Sequence, residues 1–194
     1  MQKTIEQSSF SGGFSEPAFD AAYGFRAAMR AMARPGERQE IGGAVPPAGV
    51  SDAAGSLLLT LCDPETAIYL TSEFDTPALR EWIAFHTGAP VVAPERADFA
   101  LGGWEAIAPL ERFRMGTAEY PDRSCTLIVE MPFGEAPNAT LRGPGIKDSR
   151  DVFLPAVAPF QKNALSYPQG LDFFFTSGSE LMALPRSTSI TAKG

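Results

Sequence analysis

Helix-forming stripes alternate with short runs of branched and aromatic residues along this 194-residue chain, which predicts an α/β fold: a sheet covered by helices on both faces. Two further observations keep it to one domain. The length suits a single core, and no internal repeat or low-complexity tract divides it. Residues 1–15 read as a flexible N-terminal arm and residues 16–194 as the domain.

Each element has its own signal. Ser15 can cap a first helix, with Pro17 in its first turn. Ala22, Phe25, Met29 and Met32 recur at steps of three and four and predict its buried stripe, which Pro35-Gly36 ends. Arg26, Arg30 and Arg34 fall four apart on another face, either a solvated row or a docking strip for an acidic partner. After the loop Pro46–Gly49, Ser51 or Asp52 can cap an apolar segment from Ala53 to Leu61, read as a helix that Asp63-Pro64 breaks. A strand is expected over Thr66–Leu70. A helix follows with Thr76 as cap, Pro77 in the first turn, Leu79, Trp82 and Ile83 as the apolar face, and Gly88 and Pro90 as the stop. Ala97–Leu101 reads as strand, Ala106–Phe113 as short helix, and Cys125–Val129 and Ala139–Arg142 as strands. Pro155–Leu165 reads as helix despite Pro159, and Leu171–Phe175 and Leu181–Leu184 are the last strands.

The charge balance narrows function. Sixteen basic against twenty-three acidic residues leave a formal charge of −7, which argues against a general nucleic-acid or anionic-membrane binder and leaves only a local basic pocket open. No apolar run approaches the ~20 residues that span a bilayer, and Met1–Phe10 lacks the basic-then-apolar layout of a signal peptide. Cys62 and Cys125 sit in apolar surroundings without CxxC spacing and read as buried thiols of a reducing, cytoplasmic compartment. With a single histidine, no metal site is expected.

The residues that can carry chemistry are few. His86, in the last turn of its helix, can act as general base or phosphate donor, or simply satisfy carbonyls beside the Gly88 cap. Arg142 precedes Gly143-Pro144-Gly145, a turn whose amides can approach a ligand beside a guanidinium suited to phosphate or phosphonate; a plain tight connection would look the same. Arg186, Ser187 and Thr188 follow an apolar strand and offer convergent donors for an anion, or a solvated terminus. Asp172 lies inside an apolar strand and needs a partner, for which an arginine in a structural salt bridge is expected. None of Lys3, Lys147, Lys162 and Lys193 sits in a setting that marks a Schiff-base nucleophile, and no Gly-x-Ser-x-Gly elbow occurs.

Several segments, taken in order, resemble the PhnH family, the H subunit of bacterial carbon–phosphorus lyase. They are Phe25-Arg26 through Ala31-Met32-Ala33-Arg34-Pro35-Gly36, Thr60-Leu61-Cys62-Asp63, and Trp82 through Phe85-His86-Thr87-Gly88-Ala89-Pro90. Then come Ala97-Asp98-Phe99-Ala100, Leu141-Arg142-Gly143-Pro144-Gly145-Ile146, Asn163-Ala164 with Tyr167-Pro168-Gln169-Gly170-Leu171-Asp172, and Leu184-Pro185-Arg186-Ser187-Thr188. Ser187 stands where the family favours threonine and Tyr167 where it favours phenylalanine, both mild departures.

The resemblance implies a three-layer α/β/α fold with a mixed sheet, like the large domain of pyridoxal-phosphate-dependent transferases but without that cofactor or any other. It implies a homodimer that assembles with subunits G, I and J. That machinery displaces adenine from ATP with an alkylphosphonate to give a ribose 1-alkylphosphonate 5-triphosphate, and the radical J subunit, with an iron–sulfur cluster and S-adenosylmethionine, later cuts the carbon–phosphorus bond. Three readings follow: an obligatory subunit with anion contacts, a scaffold with no ligand, or a stand-alone enzyme with a pocket around Arg142, Arg186 and His86.

Overall fold

A computed structural model describes residues 10–193, so residues 1–9 of the expected arm lie outside the described residues. Its centre is a six-stranded mixed sheet in the order β1-β8-β7-β4-β3-β2. Here β1 is Gln39–Glu40, β2 Ile68–Leu70, β3 Phe99–Gly103, β4 Thr126–Glu130, β7 Asp172–Ser177 and β8 Glu180–Leu184. Strands β2, β3, β4 and β7 run parallel, and β8 pairs antiparallel with both β7 and β1. A second, antiparallel sheet has the order β6-β5-β9, formed by Ala139–Arg142 (β5), Arg150–Val152 (β6) and Ser189–Ala192 (β9).

Alternation along the central strands divides the core in two. Leu101, Ile128, Phe174, Leu181 and Ala183 face helices α1 (Pro17–Ala33), α2 (Asp52–Leu61) and α3 (Pro77–His86). Leu127, Val129, Phe173, Phe175, Met182 and Leu184 face the other way, onto α4 (Trp104–Ile107), α5 (Val157–Leu165) and the small sheet. The expected mixed α/β sheet is present. The covering of its second face is corrected, because a three-stranded sheet shares it with helices.

Local chemistry explains most boundaries. Ser51 Oγ accepts from the Ala54 amide at 3.1 Å and Thr76 Oγ1 from the Leu79 amide at 3.2 Å, so two expected caps hold. Leu79, Trp82 and Ile83 are buried as expected, and Gly88 leaves α3 at φ +71°. Helix α1 departs from expectation. Its Ser15 lies one residue outside the N-cap, and Asp20 instead accepts from the Glu16 amide at 2.9 Å. Its buried face is Gly24, Ala27, Ala28 and Ala31; of the expected Ala22, Phe25, Met29 and Met32, only Met32 packs against the core, and the other three are exposed. Small residues let α1 sit close on α2: a Cβ on Gly24 would lie 2.4 Å from Thr60 Oγ1.

Pro109 ends α4 early, because it offers no amide and holds Ala108 extended (ψ 147°). The expected helix over Ala106–Phe113 is therefore two pieces, α4 and a 3-10 turn at Leu110–Arg112. Pro159 falls in the first turn of α5, where its missing amide breaks no bond. Strands β1, β6 and β9 were not expected.

Candidate functional site

Most of the candidate anion residues meet where β5 ends and β9 begins. Arg142 pairs with Ser189 in the β5·β9 register, and its exposed side chain makes no hydrogen bond or ion pair among the described residues. Gly143 (φ +139°) and Gly145 (φ +81°) turn the chain, and Ile146 donates its amide to the Gly143 carbonyl at 3.1 Å. A Cβ on Gly143 would lie 3.3 Å from the Ser187 carbonyl oxygen, and one on Gly145 would lie 2.0 Å from that of Ala33. The turn is thus wedged between the start of β9 and the end of α1. Ser187 is half-buried, and Thr188 is buried with its hydroxyl unpartnered.

The Arg186 side chain goes elsewhere. Its guanidinium meets the Asp172 carboxylate at 2.5 Å and the Pro121 carbonyl at 2.6 Å, and also donates to the Ser124 hydroxyl. The arginine partner expected for Asp172 is therefore Arg186, and its donors are already engaged inside the protein.

His86 stands apart, at the end of α3. Its ring centre lies 5.0 Å from that of Trp82 and 4.9 Å from that of Phe85, and Nε2 is 3.3 Å from the Ser11 carbonyl oxygen. Trp82 Nε1 donates to the same oxygen at 3.1 Å. An open cavity of about 640 Å³ adjoins the ring, lined by Phe10, Phe14 and Leu59 among others. His86 thus helps hold residues 11–13 against the α1–α3 layer. The structure does not bring it to the Arg142 turn.

Sequence reasoning missed two further features. At the carboxyl edge of the parallel strands, where open α/β sheets commonly bind ligands, Glu130 accepts from the Ser51 amide at 2.7 Å and Glu73 from the Gly103 amide at 2.6 Å. Burial pushes the Glu130 carboxyl above its ordinary value, against the opposing hydrogen bond from Ser51. An edge lined with carboxylates disfavours a phosphonate, and both acids are occupied as backbone caps. The second feature is a largely apolar cavity of about 480 Å³ between Pro109-Leu110 and α5, with Met115, Pro159 and the Lys162–Glu111 ion pair (2.5 Å) on its wall. Loop residues brought together from distant parts of the chain leave no spacing signal.

Cys62 and Cys125 are both buried free thiols. Among the described residues, no group of three or more His, Cys, Asp or Glu is placed to hold a metal ion, and no helix is long and apolar enough to cross a membrane.

Among the described residues the geometry thus offers two unpaired cations at one glycine turn, Arg142 and Lys147, with no nucleophile-and-base pair around them. Comparison with known proteins supplies the family. Residues 12–191 match the profile of the bacterial phosphonate metabolism protein (PhnH) family. The chain is 37% identical over 201 aligned positions to the alpha-D-ribose 1-methylphosphonate 5-triphosphate synthase subunit PhnH of Rhizobium meliloti (strain 1021), covering 96% of this chain and 98% of that one. It is 29% identical to HtxG of Stutzerimonas stutzeri, named as a candidate C-P lyase subunit, over 88% of this chain and 85% of that one. With nearly all of the described chain inside the match, the protein belongs to the PhnH family of bacterial phosphonate metabolism proteins.

Proposed function

We propose that this protein is a subunit of the assembly that makes alpha-D-ribose 1-methylphosphonate 5-triphosphate from ATP and methylphosphonate, within the carbon–phosphorus lyase pathway of phosphonate breakdown. One observation carries the reading: 37% identity to a subunit of that name over 98% of its length. In this reading the chain works in the cytoplasm, forms a homodimer when alone, and joins subunits G, I and J. The transferase activity belongs to the whole. A mixed sheet layered between helices is consistent with a fold like the large domain of pyridoxal-phosphate-dependent transferases, kept without the cofactor.

Within the assembly, Arg142 is the residue best suited to touch an anion. It is exposed and unpaired among the described residues, and the amides of Gly143 and Gly145 lie in the turn beside it. Ser187 and Thr188 flank this turn, whereas Arg186 and His86 serve other contacts. A second reading, a scaffold with no ligand, is favoured by a different observation: both glycines are accounted for by close backbone packing alone.

Complementation tests the first reading. A strain lacking its own H subunit should grow on methylphosphonate as sole phosphorus source when given this gene, and its product should co-purify with G, I and J. A well-folded product that neither restores growth nor joins the other subunits would reject the reading.

A further inference from the structure

We propose that the exposed face of α1 is a docking surface for an acidic, apolar-centred face of a neighbouring, different subunit, an inference that rests on the chain working inside an assembly. Because α1 packs on the core through Gly24, Ala27, Ala28 and Ala31, all of its large apolar residues but Met32 point outward. Phe19 is 66% exposed, Tyr23 67%, Phe25 52% and Met29 55%. At 100° per residue, Phe19, Tyr23 and Met29 share one side of the helix with Ala22, Arg26 and Arg30, and Phe25 borders it. A soluble surface rarely groups several large apolar side chains without a partner for them.

The arginines decide what kind of partner fits. From Ala21 to Gly36 the sequence holds Arg26, Arg30 and Arg34 and no carboxylate, on a chain whose formal charge is −7; Arg34 is answered by Glu37 at 3.4 Å, which leaves Arg26 and Arg30 without a carboxylate partner among the described residues. The Arg26 guanidinium lies 5.0 Å over the Tyr23 ring, and Arg30 has no side-chain hydrogen bond or ion pair among the described residues. Arginine, tyrosine and methionine around an apolar centre are the composition of interface cores. A basic strip on an acidic molecule steers an acidic surface toward it. A second copy fits poorly, because a two-fold contact lays the same patch on itself and sets these arginines against one another.

The test uses the full chain co-expressed with subunits G, I and J. R26E/R30E changes only exposed side chains, so the circular dichroism and melting of the isolated protein should match the wild type. Its association with the other subunits should weaken at least about tenfold, since like charges then face each other, and raised salt should loosen the wild-type assembly. If R26E/R30E assembles as tightly as the wild type, the docking face is refuted and the subunit role survives. If the wild-type chain itself does not join, the subunit role fails first. Should the double variant misfold, A22C decides the question: Cys62 and Cys125 are buried, so residue 22 becomes the exposed thiol for a short cross-linker. A cross-link to a different subunit supports the inference. A cross-link to a second copy, or none, overturns it.

Discussion

Arg186 closes on Asp172 with Nη2 2.5 Å from Oδ2, and the Arg186 backbone amide donates to the same carboxylate at 2.8 Å. The two side chains are only 12% and 24% exposed, so the pair is largely desolvated. It ties the first residue of β7 to the segment that leads into β9, and through Ser124 and Pro121 to the entry of β4. Removing one partner strands a buried charge. Arg186→Ala should therefore cost about 3 kcal/mol, a drop in Tm of roughly 10 °C, read by thermal melting. A drop of a degree or less would show that the pair does not hold the fold. Loss of complex activity in this variant reports lost stability before it reports lost ligand contact.

Arg142 makes the opposite case. Its side chain is exposed and unpaired among the described residues, so Arg142→Ala should change stability by no more than about 0.5 kcal/mol. If the guanidinium touches an anionic substrate, growth on methylphosphonate should fall while the variant still co-purifies with the other subunits. Wild-type growth with normal assembly would favour the scaffold reading.

The elements that were readable in sequence carried their own local chemistry. Ser51 and Thr76 have hydroxyls at the residue just before an apolar helical stretch, and β5 is a short run of alternating burial stopped by Gly143, so α2, α3 and β5 fall where expected. Strands β1, β6 and β9 are two to four residues long and mostly polar, and only their pairing partners make them strands. In α1 two sets of residues share the helical period, and the larger side chains were the wrong guide. Close approach to Thr60 favours the alanine and glycine set. The Arg142 turn could be suspected from its composition, but its seat against Ala33 and Ser187 joins positions over a hundred residues apart in one case. The engagement of Arg186 with Asp172, by contrast, followed from asking what a carboxylate inside an apolar strand requires.

Glu130 makes stability pH-dependent in a definite direction. Burial raises its carboxyl above the ordinary 4.5. The folded state then holds the proton more tightly than the unfolded chain, so stability falls as pH climbs from 4.5 through the raised value and the loss persists above it. Glu130→Gln keeps an oxygen to accept the Ser51 amide and abolishes the titration. The variant should melt at a higher temperature than the wild type at neutral pH, and its stability should change less with pH just above 4.5. A variant that melts lower at neutral pH would show that the ionised carboxylate contributes more at the start of α2 than its burial costs.

The two thiols should be silent until the protein opens. Burial pushes Cys125 up to about 12 and raises Cys62 as well, so almost no thiolate is present at neutral pH. A chromogenic disulfide reagent should leave both unmodified in the native protein and react with both in denaturant. Prompt reaction of either in the native state would contradict the packing of α2 against the sheet or of β4 at its start.

Gly145 tests whether the Arg142 turn is seated on α1. The residue has φ +81°, and a Cβ there would fall 2.0 Å from the Ala33 carbonyl oxygen. Gly178, in the hairpin between β7 and β8, also has positive φ (+58°) but nothing within 4 Å of its would-be Cβ. Gly178→Ala should cost only the left-handed backbone penalty, about 1 kcal/mol. Gly145→Ala adds a clash with helix backbone that cannot swing aside, so its total should reach roughly 3 kcal/mol. Chemical denaturation of the pair separates the two terms. Equal losses would mean that the turn stands clear of the helix end, and Arg142 would then lack the fixed position that an anion contact requires.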